Sequence, residues 1–395
     1  MSVMATRPLV RWALPAGVLV AVLGGGMLST QLRAAANVSL PARSPAQLMV
    51  DVQSADVTGV SGTVVEKADL GLPALPDSTG GDGSSQLNSL VSGSHTLRVW
   101  YAGPDKTRVA LLGAVGESDI IRNGDDAWIW SSSEDTATHL DLANAVPSGP
   151  GASGGVRPGA SRNVRPATDL PSMAGAATTP QQAAEQALLL MGATTTVSSA
   201  GPTQVAGRPA YVLSLAPKNS DSLIAKVQVA IDAVRHVPTQ VEVFAKGHAA
   251  APSFSIGFSQ VDFSRPDDDR FAFTPPPNTK VEEGTDQALH QAASQPETAV
   301  IGSGWTSILA ARLPMGGGSM LSSTGAAGQG SGATEPGLMS FLGSLPSVSG
   351  DWGTGHLLQS RLFSVLLTDD GRVLIGAVGG DQLQKAAADP AAALR

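Results

Sequence analysis

The residues of this chain whose types could do chemistry are its histidines, a run of aspartates and a glycine-flanked serine. The histidines show no HExxH or other metal-ligand spacing, so they indicate strand ends and loops rather than a metal site; they are His95, His139, His236, His248, His290 and His356. Gly151–Gly155 matches a nucleophile elbow, but no strand precedes it and no helix follows, so we interpret the match as chance. Asp267–Asp269 lacks the spacing of a calcium-binding loop and indicates a solvated turn.

Composition narrows the possible functions further. The chain has no cysteine, which removes thiol nucleophiles, disulfides and cysteine-ligated metals. We therefore expect no catalytic residue, no metal and no cofactor, and a protein that is not an enzyme. The net charge is −8 and no basic block is present, so no nucleic-acid partner is expected. Few charges, 45 glycines and 27 prolines favour strands, turns and linkers over long helices.

The pattern of residues 1–36 predicts a signal peptide or an N-terminal membrane anchor, with a buried N-terminal core helix as the alternative. Arg7 and Arg11 precede an apolar run from Trp12 to Leu28, and Ala34–Ala36 offers small side chains where a signal peptidase could cut. The run of about 17 residues is at the lower limit for spanning a bilayer, so a cleaved signal peptide and an uncleaved membrane anchor are both open. Either one predicts an extracytoplasmic protein, anchored to the plasma membrane or secreted.

Period-two alternation between turn residues predicts an antiparallel meander of about eleven strands. The first six are expected near Val57–Asp69, Ser94–Tyr101, Thr107–Leu112, Glu117–Arg122, Ala127–Ser131 and Thr136–Leu142. The other five are expected near Thr194–Ala200, Arg208–Leu215, Ala225–Asp232, Thr239–Ala245 and Ser253–Phe263. The apolar parity shifts after Phe258, which predicts a bulge. Two helices are expected, Ser44–Ala55 and Thr179–Met191, each with a capping residue followed by proline.

The predicted organisation has three parts. Residues 1–36 are followed by a half-barrel, 37–285, with polar inserts at 71–93 and 147–178. A C-terminal extension, 286–395, contains a Gly-rich linker at 316–332 that is expected to be flexible. The extension is expected to hold a hairpin of Leu357–Leu367 and Arg372–Val378, with Gly371 in its turn, and a helix from Asp381 to Ala388.

The fold class that follows is α+β, mainly β: an incomplete antiparallel β-barrel with a helical lid and a small C-terminal hairpin and helix. A sheet this wide can enclose an apolar cavity suited to acyl chains, or it can pack on its helices without a void; the pattern alone leaves both open. The candidate cavity residues are Leu97, Val99, Val109, Leu111, Ile120, Trp128, Trp130, Leu213, Leu215, Val227, Val229, Ile231, Phe254, Ile256 and Phe258.

Two further groups of side chains have alternative interpretations. Trp128 and Trp130 share a face, and either pack against a helix or line the cavity. Arg43, Arg98 and Arg108 either meet a lipid head group or lie on an exposed polar face.

Three stretches, taken in order, resemble the LolA-type lipoprotein carriers. Asn123–Leu142 (NGDDAWIWSSSEDTATHLDL) is similar to their strand, polar turn and amphipathic strand. Arg208–Ala245 is similar to the following strands, and Phe254–Val281 to the closing strand with its proline-rich ending. The resemblance covers Ser44 to Glu283 and is strongest to actinobacterial, membrane-anchored members of a group that includes the RseB-type sensors.

The resemblance implies a curved incomplete barrel with a hydrophobic ligand site for lipid or an acylated lipoprotein. It also implies an alternative: an RseB-like envelope sensor that contacts a membrane protein. Three departures matter, since the chain has no lipidated cysteine, an unfamiliar tail from about Asp286, and no arginine that matches the lid latch of the carriers. Shuttling of lipoproteins to an outer membrane is therefore not implied.

Overall fold

A computed structural model of the chain describes residues 39–72, 93–113, 116–142, 188, 191–284, 298–312 and 344–389. The predicted N-terminal segment 1–36, insert 147–178 and linker 316–332 lie outside these ranges, as does nearly all of insert 71–93. Of the predicted helix Thr179–Met191, only Leu188 and Met191 are described. Within these ranges, no helix has the length and apolarity needed to cross a bilayer.

The described elements are mainly strands. The first twelve are β1 Val60–Ala68, β2 Gly93–Tyr101, β3 Lys106–Leu112, β4 Glu117–Asn123, β5 Asp126–Ser131, β6 Thr136–Asp141, β7 Thr195–Val205, β8 Arg208–Pro217, β9 Ile224–Asp232, β10 Pro238–Ala245, β11 Phe254–Asp262 and β12 Lys280–Glu283. The remaining strands are β13 Thr298–Ile301, β14 Ile308–Arg312, β15 Ser347–Gly350, β16 Gly353–Gln359, β17 Ser364–Thr368 and β18 Arg372–Gly376. Two helices are α1 Pro45–Ser54 and α2 Gly380–Ala387.

One sheet of twelve strands has the order β12-β6-β5-β4-β3-β2-β1-β11-β10-β9-β8-β7. Two antiparallel meanders, β1–β6 and β7–β11, are joined where β11 returns to pair with β1. The chain then crosses to the far edge, where β12 pairs with β6 in parallel. The edge strands β12 and β7 do not pair with each other, so the sheet is an incomplete barrel, and the predicted fold class is confirmed.

The bulge predicted in β11 is confirmed. Thr63 pairs with Gln260 and Val64 pairs with Phe258, so Ser259 is the extra residue. Gly62 lies beside it, and a Cβ there would come 2.2 Å from the carbonyl oxygen of Gln260. The bulge therefore needs glycine on the neighbouring strand.

Helix α1 begins with a capping box. The Ser44 hydroxyl accepts from the backbone N–H of Gln47, and the Gln47 side chain accepts from the backbone N–H of Ser44. Leu48 is fully buried against Leu213 and Ile231 of the large sheet. The capping box thus fixes the start of a helix whose apolar side lies on the sheet.

A second, six-stranded sheet has the order β13-β14-β18-β17-β16-β15, and helix α2 packs on it. The predicted hairpin turn is present between β17 and β18, with Gly371 at φ 85°. The stretch Leu357–Leu367, expected to be one strand, is instead divided between β16 and β17. It is divided because the Ser360 hydroxyl accepts from the backbone N–H groups of Leu362 and Phe363 and closes a turn.

Candidate functional site

The register of the large sheet shows which side chains share a face, because residues directly opposite in an antiparallel pair point the same way. We call the face that carries helix α1 the α1 face. Thirteen of the predicted cavity residues lie on it: Leu97, Val99, Val109, Leu111, Ile120, Leu213, Leu215, Val227, Val229, Ile231, Phe254, Ile256 and Phe258. In the strand order of the sheet, these apolar side chains extend from β4 to β8 on one continuous surface.

The middle of the α1 face is occupied by a turn from the second sheet. We call this turn, Ser360–Phe363, the docked turn. Leu362 is buried in one cluster with Val64, Leu97 and Phe254, and Phe363 packs beside it. An ion pair between Arg361 and Asp69 and a 2.7 Å hydrogen bond from the Arg361 N–H to the Leu70 carbonyl hold the turn. Part of the expected lumen is thus filled by the protein itself.

Beyond the docked turn, four apolar side chains continue in register across four strands. Val99 lies opposite Val109, Val109 opposite Ile120, and Ile120 opposite Ile129. Val99 and Val109 pack against the buried cluster, whereas Ile120 is 59% exposed and Ile129 is 48% exposed. We call this row the apolar track, because it leads from the protein surface to the core.

Two of the predicted cavity residues, Trp128 and Trp130, do not lie on the α1 face. Strand alternation places both on the opposite face of β5, since Ile129 between them points to the α1 face. The ring of Phe273 lies 5.3 Å from the Trp128 ring and 6.0 Å from the Trp130 ring. Phe273 belongs to the segment between β11 and β12, so the two tryptophans anchor that segment to the sheet.

The three arginines considered for a head group have other partners or positions. Arg108 pairs with the buried Asp119 on the opposite face, and burial outweighs this pairing and raises the pKa of Asp119 to about 6. Arg98 is exposed on the same opposite face. Arg43 pairs with Asp51 of α1 at 2.6 Å and lies over the Tyr211 ring.

Glu66 of β1 is a residue of the α1 face that the sequence interpretation missed. It lies in phase with Val64 and Ala68, opposite His95 on one side and Ile256 on the other. Its side chain is fully buried, neither carboxyl oxygen has a hydrogen-bond partner, and burial raises its pKa to about 8. The sequence does contain a signal for this, because side chains two residues apart on a strand share a face, and Glu66 therefore falls between the apolar residues Val64 and Ala68.

A cavity of about 260 Å³ lies in the second sheet, lined by Arg312, Asp351, Trp352, Asp370, Arg372 and the end of α2. The Arg372 guanidinium there donates to Asp370 and to the carbonyls of Ala387 and Trp352. In the described parts of the chain, no three histidine or acidic side chains are placed to hold a metal ion.

No protein-family model and no curated protein matches the chain. Among solved structures it is similar to MucB in the Pseudomonas aeruginosa MucA/MucB complex, with 13% identity over 86% of this chain and 94% of that chain and a TM-score of 0.39. It is also similar to a LolA superfamily protein from Nitrosomonas europaea, with 12% identity over 59% and 99% of the two chains and a TM-score of 0.20.

A lipoprotein-sorting protein domain from Vibrio parahaemolyticus is a third similar structure, with 11% identity over 54% of this chain and 88% of that chain and a TM-score of 0.19. The similar structures thus include members of the LolA and lipoprotein-sorting group that the sequence resembles. Identities and TM-scores this low do not indicate which ligand or partner this chain binds.

Proposed function

We propose that this chain is an extracytoplasmic binding protein that holds the acyl chain of a lipid or lipoprotein on the α1 face, and that it is not an enzyme. The N-terminal segment would attach it to the plasma membrane or direct its secretion. The observation that carries the proposal is the apolar track. Ile120 and Ile129 are large apolar side chains left exposed in register, beside a buried apolar cluster.

A linear apolar ligand fits this arrangement better than a compact one. Strands are about 4.8 Å apart, so the track from β2 to β5 spans about 14 Å in a direction across the strands. A chain lying along it would cover Ile120 and Ile129 and reach Val109, and each buried methylene contributes about 0.8 kcal/mol. The driving force is therefore burial of hydrocarbon, with no charge required from the protein.

The first test is binding of a fluorescent fatty-acyl probe to purified protein, together with mass spectrometry of lipids that copurify with it. Replacing Ile120→Asn or Ile129→Asn should weaken probe binding about tenfold, because each change removes apolar surface that the chain would cover. Val300→Asn is the matched control, since Val300 is 66% exposed on the second sheet, away from the track.

The control variant should bind the probe as the unchanged protein does. Absence of any copurifying lipid, together with equal probe binding by all three variants, would contradict the proposal.

A second candidate function, an envelope sensor, is favoured by the docked turn. The turn belongs to the second sheet but packs on the face proposed for the ligand. A ligand that advances along the track toward Leu97 would compete with Leu362 and Phe363. Displacement of the turn would then move the second sheet and report occupancy to a protein partner.

A disulfide that holds the second sheet in place would test the sensor. Ser222 and Val378 form an antiparallel bridge with the Leu223 N–H donating to the Ala377 carbonyl, a non-hydrogen-bonded pair with Cα atoms about 4.5 Å apart. That spacing suits a disulfide, and the chain has no other cysteine. The Ser364 hydroxyl donates to the Val378 carbonyl, so the bond would also fix the docked turn.

In the sensor, the oxidised Ser222→Cys/Val378→Cys protein should bind the acyl probe at least tenfold more weakly than the same protein after reduction. The two single-cysteine variants are the controls and should not respond to reductant. Equal binding by the oxidised and reduced forms would show that the turn does not gate the site, and would leave a simple binding protein.

A further inference from the structure

The buried carboxyl group of Glu66 is a polar feature of the α1 face that the proposed function does not use. Its neighbours in register are His95 on β2 and Ile256 on β11, and Val64 and Ala68 flank it on its own strand. Both carboxyl oxygens lack a hydrogen-bond partner, although the side chain has no exposed surface. Buried polar groups in proteins are nearly always paired, so this exception calls for a physical reason.

Local packing does not supply that reason. An aliphatic residue of similar size would fill the position between Val64 and Ala68 without the cost of burying a polar group. The charged groups of the nearby docked turn do not reach it, because Arg361 pairs with Asp69. The unpaired carboxyl group of Glu66 therefore costs free energy in the protein without ligand, and it lies on the face proposed for the ligand. A polar group of the ligand would be a suitable hydrogen-bond partner for it.

The chemistry around Glu66 restricts what that partner can be. Burial favours the protonated form, which donates one hydrogen bond and accepts others. An anionic head group would place a second acid beside it in an apolar environment, with no lysine or arginine among its partners in register. An amide or hydroxyl group offers one acceptor and at least one donor, and can satisfy both carboxyl oxygens without burying a charge.

We propose that Glu66 binds the polar end of the ligand and selects neutral amphiphiles with an amide or hydroxyl head over anionic ones. This inference rests on the proposed function and names its ligand class. Glu66 on β1 and Ile129 on β5 are separated by four strand spacings, about 19 Å across the sheet, which leaves room for a long hydrocarbon chain between head and tail. Leu362 of the docked turn packs on the same cluster, so the head group reaches Glu66 when the turn moves aside.

The test compares three ligands with the same hydrocarbon chain: hexadecanamide, hexadecanol and hexadecanoate. Each is titrated at neutral pH into the full-length protein and three variants, with displacement of a fluorescent acyl probe as the readout. The unchanged protein should bind the amide and the alcohol at least tenfold more tightly than the carboxylate. Glu66→Gln should keep this preference, because its amide also donates and accepts.

Glu66→Leu should bind hexadecanamide and hexadecanol about tenfold more weakly and lose the preference over hexadecanoate. All three compounds should still displace the fluorescent probe from this variant. Glu242→Leu is the matched control, because Glu242 lies on the opposite face of β10 and should leave the preference unchanged. Circular dichroism of each variant confirms folding, and the ratio of affinities within one variant is independent of its active fraction.

The outcomes separate this inference from the proposed function. If the unchanged protein binds all three ligands equally tightly, or if Glu66→Leu still prefers the neutral ligands over hexadecanoate, the role of Glu66 is overturned and acyl binding remains intact. If none of the three ligands binds the unchanged protein or any variant, both the acyl-binding function and the role of Glu66 are overturned.

Discussion

At the scale of residues, the α1 face shows how one acid can differ from its surroundings. Glu66 is flanked by Val64 and Ala68, and its only polar neighbour in register is His95. Asp232, by contrast, is also buried but accepts hydrogen bonds from Arg208 and from the backbone N–H groups of Val234 and Arg235. These bonds outweigh burial and lower the pKa of Asp232, whereas burial alone raises that of Glu66.

The raised pKa of Glu66 makes a prediction about stability. The folded protein holds the proton up to a pKa of about 8, and the unfolded chain releases it near its ordinary pKa of 4.5. The folded state therefore binds more protons between these values, and Glu66 lowers the free energy of unfolding as pH rises, by at most about 1.4 kcal/mol per pH unit. Glu66→Gln removes this slope.

Urea denaturation at several pH values between these two pKa values measures the effect. The gain in stability of Glu66→Gln over the unchanged protein should grow steadily with pH. A constant difference between Glu66→Gln and the unchanged protein at every pH would contradict the burial of an unpaired carboxyl group.

At the scale of elements, the segment after β11 decides which face of the sheet is left for a ligand. Phe271 is fully buried, and Phe273 packs on Trp128 and Trp130, so this segment covers the face opposite to α1. It ends in β12, a short parallel strand at the edge of the sheet. His139 of β6 fastens that edge, with one ring nitrogen 3.0 Å from Asp126 and the other 3.0 Å from Glu283.

This contact predicts a pH-dependent edge strand. The hydrogen bond to Asp126, and then Glu283, raises the pKa of His139 above its usual 6.5. The stabilisation is therefore complete below about pH 6.5 and is lost as pH rises through the raised value. Amide hydrogen exchange of Glu282 and Gly284, corrected for the intrinsic rate, should show less protection at about pH 8.5 than at about pH 6.

His139→Phe is the control for the edge strand, since a phenyl ring can still stack on Trp128, which lies 4.4 Å away in the unchanged protein. Its protection factors should not change with pH. If protection in the unchanged protein is the same at both pH values, the His139 contact does not hold β12.

At the scale of the whole molecule, the two sheets are joined at several points. The docked turn contacts the α1 face, Ser222 pairs with Val378, and the Trp305 indole N–H donates to Thr195 at 2.7 Å. Movement of the second sheet must therefore break contacts at more than one place. This arrangement is what allows the disulfide between positions 222 and 378 to separate a sensor from a simple binding protein.

The sequence by itself determined the eleven strands of the two meanders, the first helix and the shared face of most cavity residues. Alternation has a period of two regardless of what a strand packs on, so Val227, Val229 and Ile231 could be placed together before any coordinates. The same rule separated Trp128 and Trp130 from Ile129, but it could not say which of the two faces would carry α1.

Only the tertiary structure decided the rest. The cover on the tryptophan face comes from Phe273, far along the chain, and the docked turn comes from a sheet whose other strands were not expected. Such contacts depend on which surfaces meet, and no local pattern encodes them. The local sequence also could not show that the Glu66 carboxyl group lacks a hydrogen-bond partner. That depends on which residues the neighbouring strands β2 and β11 place beside it.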